Sequence, residues 1–429
     1  MEKTLRTNVA KLTGTIAVPG DKSISHRAAI FGALATGTTK IDHFLLADDC
    51  QQTLTALKQL GVPVQLSGDQ VTIKGRGFKN LQHPNQPINL GNSGTATRLL
   101  LGVLSKQPFA VELSGDQSLS KRPMARVTAP LRQMGTNIAE PAAHLPLTIQ
   151  ANNRLQALDY RIPVASAQVK SALIFAALQA DQVSHLTEIA PTRDHTERML
   201  RQFGGVLDKD GLTLTITPQT QFKSQQLRVP GDLSSAAVFV LAATLVPNSQ
   251  LRLQQVGLNN TRTGFLDVLS RMGANLRVEN VHSAFEASGD LIVNTSDLNG
   301  TTIEGQEIAN VIDELPLLAL AATQAHGTTV IKDAAELRVK ETDRIAAVAT
   351  ELSKLGAQIE TKPDGLVIHG PTPLKPVTSD QLTTYGDHRI GLMLSVAALI
   401  SNGTLTLTQA EAVNVSYPHF FADLQQVCH

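Results

Sequence analysis

Lys22, Ser23 and Arg27 put an ammonium, a hydroxyl and a guanidinium on the first turns of one helix. Ser23 and Arg27 are four residues apart and share a helix face. Unpaired N–H groups and the dipole at a helix start favour anions, so the three together can grip a phosphate. The plainer account makes Ser23 a helix cap and leaves both bases in water. The same choice recurs along the chain. Gly91-Asn92-Ser93-Gly94-Thr95 is a loop whose backbone amides can approach an anion, or an ordinary capped turn. Lys121-Arg122-Pro123 sets two cations before a rigid residue, and Ser166-Ala167-Gln168 opens a helix with a hydroxyl and an amide. A solvated loop and a simple cap are the plain alternatives.

Acids and bases meet in the last third of the chain. Asp313 and Glu314 begin a helix, where carboxylates are favourable on structural grounds alone; one of them can serve as a base if it faces a substrate. In Glu336–Arg344, Lys340 and Arg344 are four apart beside Glu341, which also fits an exposed salt-bridged helix. Asp387-His388-Arg389 opens another helix, and His388 lacks a spaced partner for a metal. Taken together, Lys22, Arg27, Arg122, Lys340, Arg344 and Arg389 concentrate positive charge in a chain with 37 basic and 37 acidic residues. Cations gathered in a neutral protein point to a small substrate with several negative charges.

Other chemistries fit poorly. Asp21 separates Gly20 from Lys22, so there is no Walker loop, and Asn80 stands where the GRGF stretch would need its third glycine. Zero net charge and 3% aromatic residues, with no Trp, disfavour a nucleic-acid surface. Cys50 and Cys428 form no CxxC pair, so a thiolate zinc site is not expected and a reducing compartment is. Met1–Thr15 has no signal-peptide core, and apolar runs such as Leu315–Ala322 fall short of the roughly 20 residues of a membrane span.

The elements that must hold these groups repeat. A polar cluster, an Ala/Leu-rich helix, a break and a β-branched strand recur from Asp21, Asn92, Ser166, Asp232, Asp313 and Asp387. Between them come helices that end in Gly61, Gly135, Gly204, Gly273 and Gly356, each placed as a left-handed C-cap. Helix, strand, helix, strands makes an α/β (α+β) class. VPGD occurs at Val18–Asp21 and again at Val229–Asp232, which reads as two crossings between two lobes of three repeats each. Residues 20–230 form the first lobe. Residues 231–429 form the second and need 1–19 to complete the repeat that FADLQQVCH leaves short. A site between the lobes is expected.

Ordered motifs then carry a resemblance. PGDKSISHRA at 19–28, LGNSGTATRLL at 90–100, KRPM at 121–124, SAQVKSALIFAAL at 166–178, DELP at 313–316, LRVKETDR at 337–344 and DHRI at 387–390 resemble the 5-enolpyruvylshikimate-3-phosphate synthase family over nearly the whole chain. The resemblance implies a two-lobed inside-out α/β barrel of six βαβαββ-type repeats. It implies transfer of the enolpyruvyl group of phosphoenolpyruvate to shikimate 3-phosphate. No metal or organic cofactor is implied, and a cytoplasmic monomer without nucleic-acid or membrane partners is expected. Lys22, Ser23, Arg27, Ser166, Gln168, Asp313 and Lys340 would meet shikimate 3-phosphate. Lys22, Gly94, Arg122, Gln168, Arg344 and Arg389 would meet phosphoenolpyruvate. Asp313, Glu341 and Lys22 are the candidates for proton transfer.

Departures touch the finer map. Ala167 stands where many members have a second Ser, NVSYPHF lacks a Lys found in several relatives, and Arg193 belongs to a subset. The neighbouring alternative is a UDP-N-acetylglucosamine enolpyruvyl transferase, which commonly has a reactive Cys where Ser114–Arg122 has none. A non-catalytic repeat scaffold would explain the repeats but not the gathered cations and acids.

Overall fold

The computed structural model describes residues 1–429, apart from the side chain of Ala142. The chain forms two compact units, Gly20–Val229 and Met1–Pro19 with Pro230–His429. The architecture is mixed α/β with six small sheets.

The Gly20–Val229 unit holds three of them. In one, Ala35–Asp42 runs antiparallel to Gln70–Gly75, which pairs with Val64–Ser67; the later strands Phe222–Lys223 and Gln226–Arg228 lie parallel to Ala35–Asp42. The second has the order Ile88–Asn89, Val111–Ser114, Leu147–Ile149, Ile138–Ala139. The third has Asp159–Arg161, Ser184–Thr187, Thr213–Ile216, Leu207–Asp210. In each, a parallel pair comes first and an antiparallel hairpin closes the sheet.

The other unit repeats this order. Thr13–Ile16 lies parallel to Gln250–Gly257, followed by Ala287–Asn294 and Asn275–Ser283. Thr302–Ile303, Gly327–Ile331, Gly365–Gly370 and Gln358–Lys362 form the next sheet. In the last, Gln381–Thr383 runs parallel to Leu405–Thr408, which pairs antiparallel with Glu2–Leu5. The first residues of the chain therefore supply strands to two sheets of this unit.

Central helices explain where chemistry can sit. Lys22–Leu34 is buried from Ile24 to its end, and Ala167–Ala177 from Val169 to its end. His388–Leu399 is buried except for Arg389. Helices apolar on every side belong in a core, and only their polar first turns are accessible. Gly102 on Gly94–Val103 shows how tightly two of them meet: a Cβ there would lie 2.0 Å from the carbonyl oxygen of Ala172. The outer helices are amphipathic, and all five expected C-cap glycines have φ between +80° and +107°. Among the described residues, no helix is long and apolar enough to cross a membrane.

Two helix starts differ from the sequence reading. Leu315–Gln324 begins two residues after Asp313, which lies in the turn before it. Glu336–Arg344 is not one helix: Ala335–Val339 is a 3-10 turn, Lys340 is extended, and a new helix starts at Arg344 under the Asp343 cap. Asp343 takes the amide of Ala346 at 3.1 Å, and such a side chain favours a fresh helix start over continuation.

Candidate active site

In the Gly20–Val229 unit, Asp21 caps the helix Lys22–Leu34 by accepting from the Ile24 amide at 2.8 Å. Ser23 is thus not the cap; its carbonyl accepts from Arg27 Nη1 at 2.9 Å, and its hydroxyl is left to the partly exposed first turn. Lys22 Nζ donates to Asp49 Oδ2 at 3.3 Å. Arg27 is buried and reaches two other helices, with Nε on Thr196 Oγ1 at 2.7 Å and Nη2 on Ser171 Oγ at 2.8 Å.

Two guanidiniums, those of Arg98 and Arg122, lie against the loop at Gly91–Thr95. Ser93 caps Gly94–Val103 through the Ala96 amide at 3.2 Å. Arg122 Nη2 donates to Asn92 Oδ1 at 2.7 Å, and Arg98 Nη1 to Gln168 Oε1 at 2.6 Å. Gln168 Nε2 donates in turn to Thr95 Oγ1 at 2.9 Å. A Cβ at Gly94 would stand 2.7 Å from Arg98 Nη1 and 3.2 Å from Arg122 Nη1, so glycine keeps both guanidiniums against the backbone. Ser166 is the N-cap of Ala167–Ala177, accepting weakly from Val169 at 3.4 Å. The structure joins Gly94, Arg122 and Gln168 in one place, with Ser166 two residues from Gln168. Arg193 lies on the loop before the helix His195–Gln202, partly buried.

In the other unit, Arg344 is the centre. It is 2% exposed, and three carboxylates surround it. Asp387 accepts from Nε at 2.8 Å and from Nη2 at 3.2 Å; Glu341 accepts from Nη2 at 2.6 Å; Asp313 Oδ1 lies 3.5 Å from Nη1. Burial works against the Arg344 charge, but Asp387, Glu341 and Asp313 more than offset it and hold the guanidinium firmly ionised. Asp387 also caps the helix His388–Leu399 through the Arg389 amide at 2.8 Å. Arg389 Nη1 is 3.6 Å from Glu314 Oε1. Glu314 is buried, accepts a hydrogen bond from Ser234 Oγ, and Arg262 donates to that same Ser234 at 2.7 Å.

Lys340 is half-buried, and burial pushes its ammonium below the usual lysine range; Asp313 and Glu341 oppose the shift and Arg344 adds to it. The Nη1 of Arg344 and the Nε of Arg389 are buried without hydrogen-bond partners among the described residues. A buried guanidinium nitrogen without a hydrogen bond has capacity for a further acceptor. Asp313, Lys340, Glu341 and Arg344 therefore form one charged group, with Arg389 next to it through Asp387. Among the described residues no cluster of His, Cys, Asp or Glu is arranged to hold a metal.

The family model for EPSP synthase (3-phosphoshikimate 1-carboxyvinyltransferase) matches residues 6–424. The chain belongs to this family. A 3-phosphoshikimate 1-carboxyvinyltransferase of Enterococcus faecalis is 52% identical over 99% of both chains. The solved EPSP synthase of Acinetobacter baumannii aligns with a TM-score of 0.89 at 39% identity, covering 100% of this chain and 98% of its own. The enolpyruvyl transferase NikO of Streptomyces tendae, at 19% identity, covering 99% of this chain and 97% of its own with a TM-score of 0.80, shares the fold.

Within this EPSP synthase relative, several residues escape the sequence reading. Arg98 lies four residues after Gly94, the one available hint that both share a face. Asp387 is visible only as the start of a helix, and nothing local shows that it braces Arg344 from 43 residues away. Thr196 and Ser171 carry no signal beyond ordinary helix polarity.

Proposed function

We propose that the two charged groups act in one reaction, with the roles set out here. The activity is enolpyruvyl transfer, in the shikimate route to aromatic amino acids: phosphoenolpyruvate and shikimate 3-phosphate give 5-enolpyruvylshikimate 3-phosphate and phosphate. Lys22, Ser23, Arg27, Ser166, Gln168, Asp313 and Lys340 bind shikimate 3-phosphate. Lys22, Gly94, Arg122, Gln168, Arg344 and Arg389 bind phosphoenolpyruvate. Guanidinium forks suit its carboxylate and phosphate, and the Nη1 of Arg344 and Nε of Arg389, buried without a hydrogen bond, support that assignment.

The 5-hydroxyl loses its proton as its oxygen attacks C2 of the enol, and C3 gains a proton. The tetrahedral adduct then loses a proton from C3 and expels phosphate, restoring the double bond. Asp313 accepts the hydroxyl proton, and Glu341 and Lys22 are the further proton carriers. The observation that carries these roles is the grouping of Asp313, Glu341 and Lys340 around the fixed Arg344, which sets acids beside anion-binding donors. The shared strand order of the sheets supports six βαβαββ repeats, three per lobe, in inside-out α/β barrels of residues 20–230 and of 1–19 plus 231–429. A cytoplasmic monomer completes the proposal. Phosphate release from phosphoenolpyruvate is the test. It is expected with shikimate 3-phosphate as acceptor and not with UDP-N-acetylglucosamine; silence with shikimate 3-phosphate would overturn the assignment.

A further inference from the structure

Among the proposed shikimate 3-phosphate ligands of the Gly20–Val229 unit, Arg27 is the most deeply buried, at 2% exposure. Its Nε–Nη2 edge is met by two neutral hydroxyls rather than left to water. Thr196 Oγ1 accepts from Nε at 2.7 Å and Ser171 Oγ from Nη2 at 2.8 Å. The two hydroxyl oxygens are 2.6 Å apart. Each hydroxyl has one proton. Ser171 gives its proton to the Ala167 carbonyl at 2.6 Å, so the Thr196 proton lies on Ser171. Both oxygens then turn lone pairs to Arg27, and neither hydroxyl can rotate without breaking a bond.

The helices that carry these hydroxyls are locked together. Lys170, fully buried, bridges Glu197 Oε1 at 2.7 Å and Glu188 Oε1 at 3.0 Å, and Lys209 meets Glu188 Oε2 at 3.3 Å. Lys170 precedes Ser171 and Glu197 follows Thr196 in the sequence, so the ion pair fixes the spacing of the two hydroxyls. A hydroxyl orients a guanidinium without cancelling its charge, whereas a carboxylate in its place would do both.

We infer that Thr196 and Ser171 are positioning residues for Arg27, holding its guanidinium pre-aimed for shikimate 3-phosphate. The inference rests on the assignment of Arg27 as a ligand. Pre-set orientation lowers the ordering cost when the anion binds, and that gain belongs to one substrate only.

Steady-state kinetics of Thr196→Val, Thr196→Ser, Arg27→Ala and the Thr196→Val/Arg27→Ala double variant test it. Thr196→Val is expected to raise KM for shikimate 3-phosphate about 10-fold, with KM for phosphoenolpyruvate and kcat within about 2-fold. Thr196→Ser is expected to restore the parent value, and Thr196→Val to add nothing in the Arg27→Ala background. An unchanged KM in Thr196→Val, or the same increment with Arg27 absent, overturns the inference. If Arg27→Ala itself leaves that KM unchanged, the ligand assignment fails first and the inference with it. If Arg27→Ala raises it and Thr196→Val does not, only the inference fails. Should Thr196→Val not fold, Ser171→Ala is judged by the same criteria.

Discussion

Lys340 shows how one side chain's surroundings become a measurable property. Burial lowers its pKa, so its positive charge is lost at a lower pH than for a lysine in water. A cation that binds a phosphorylated acid then fails as pH rises through this lowered value. KM for shikimate 3-phosphate is expected to climb on the alkaline side well before the ordinary lysine range. Lys340→Arg keeps the charge and should remove the climb. A pH profile of KM identical in parent and variant would deny Lys340 this role. The residues at 22, 27, 122, 340, 344 and 389 were legible in the sequence as cations and candidate anion binders. Their pairings were not: the carboxylates around Arg344 come from Asp313, Glu341 and Asp387, and only the fold makes Asp387 its neighbour.

At the scale of elements, the starts of the apolar helices were the legible part, though Ser23 stood as the cap candidate where Asp21 serves. Asp21, Ser166, Asp232 and Asp387 each accept from an amide of the helix they precede, because a short polar side chain before an apolar run has few other uses. The stretch from Lys340 to Arg344 misled for a related reason: Asp343 starts its own helix, so the four-residue spacing never becomes a shared face. Close contacts left no local trace either. Gly102 looks like a tolerated glycine in a helix, yet it lets Gly94–Val103 lie against Ala167–Ala177. Gly102→Ala would force the two apart and is expected to cost about 1–3 kcal/mol of stability by urea unfolding, despite the better helix propensity of Ala. A neutral or stabilising result would mean the helices are not held at this distance.

At the scale of the whole molecule, one buried histidine ties stability to acid. His26 is fully buried in the Gly20–Val229 unit, bonded through Nδ1 to Thr53 Oγ1 at 2.7 Å. Burial lowers its pKa to about 3; Lys22 and Arg27 push the same way and Asp49 opposes them. The folded pKa therefore lies below the unfolded value of about 6.5. Between the two, the unfolded chain binds the proton that the folded one refuses. Stability from this group is complete above pH 6.5 and falls as pH drops toward 3, by up to about 1.4 kcal/mol per pH unit. Urea midpoints between pH 6.5 and 4.5 are expected to drop in the parent and to drop less in His26→Gln; equal slopes would show that His26 is not the group responsible. The mixed α/β class was visible in the sequence because apolar helices alternate with β-branched strands. The strand orders were not, since pairings such as Glu2–Leu5 with Leu405–Thr408 join opposite ends of the chain.

The most direct measurement is the turnover of Asp313→Asn. The amide keeps the shape of the side chain and one acceptor oxygen but cannot take a proton from the 5-hydroxyl. Phosphate release from phosphoenolpyruvate, with shikimate 3-phosphate as acceptor, is expected to slow by ~10²-fold or more while both KM values stay within about 3-fold of the parent. Parent-like turnover in Asp313→Asn would contradict the account.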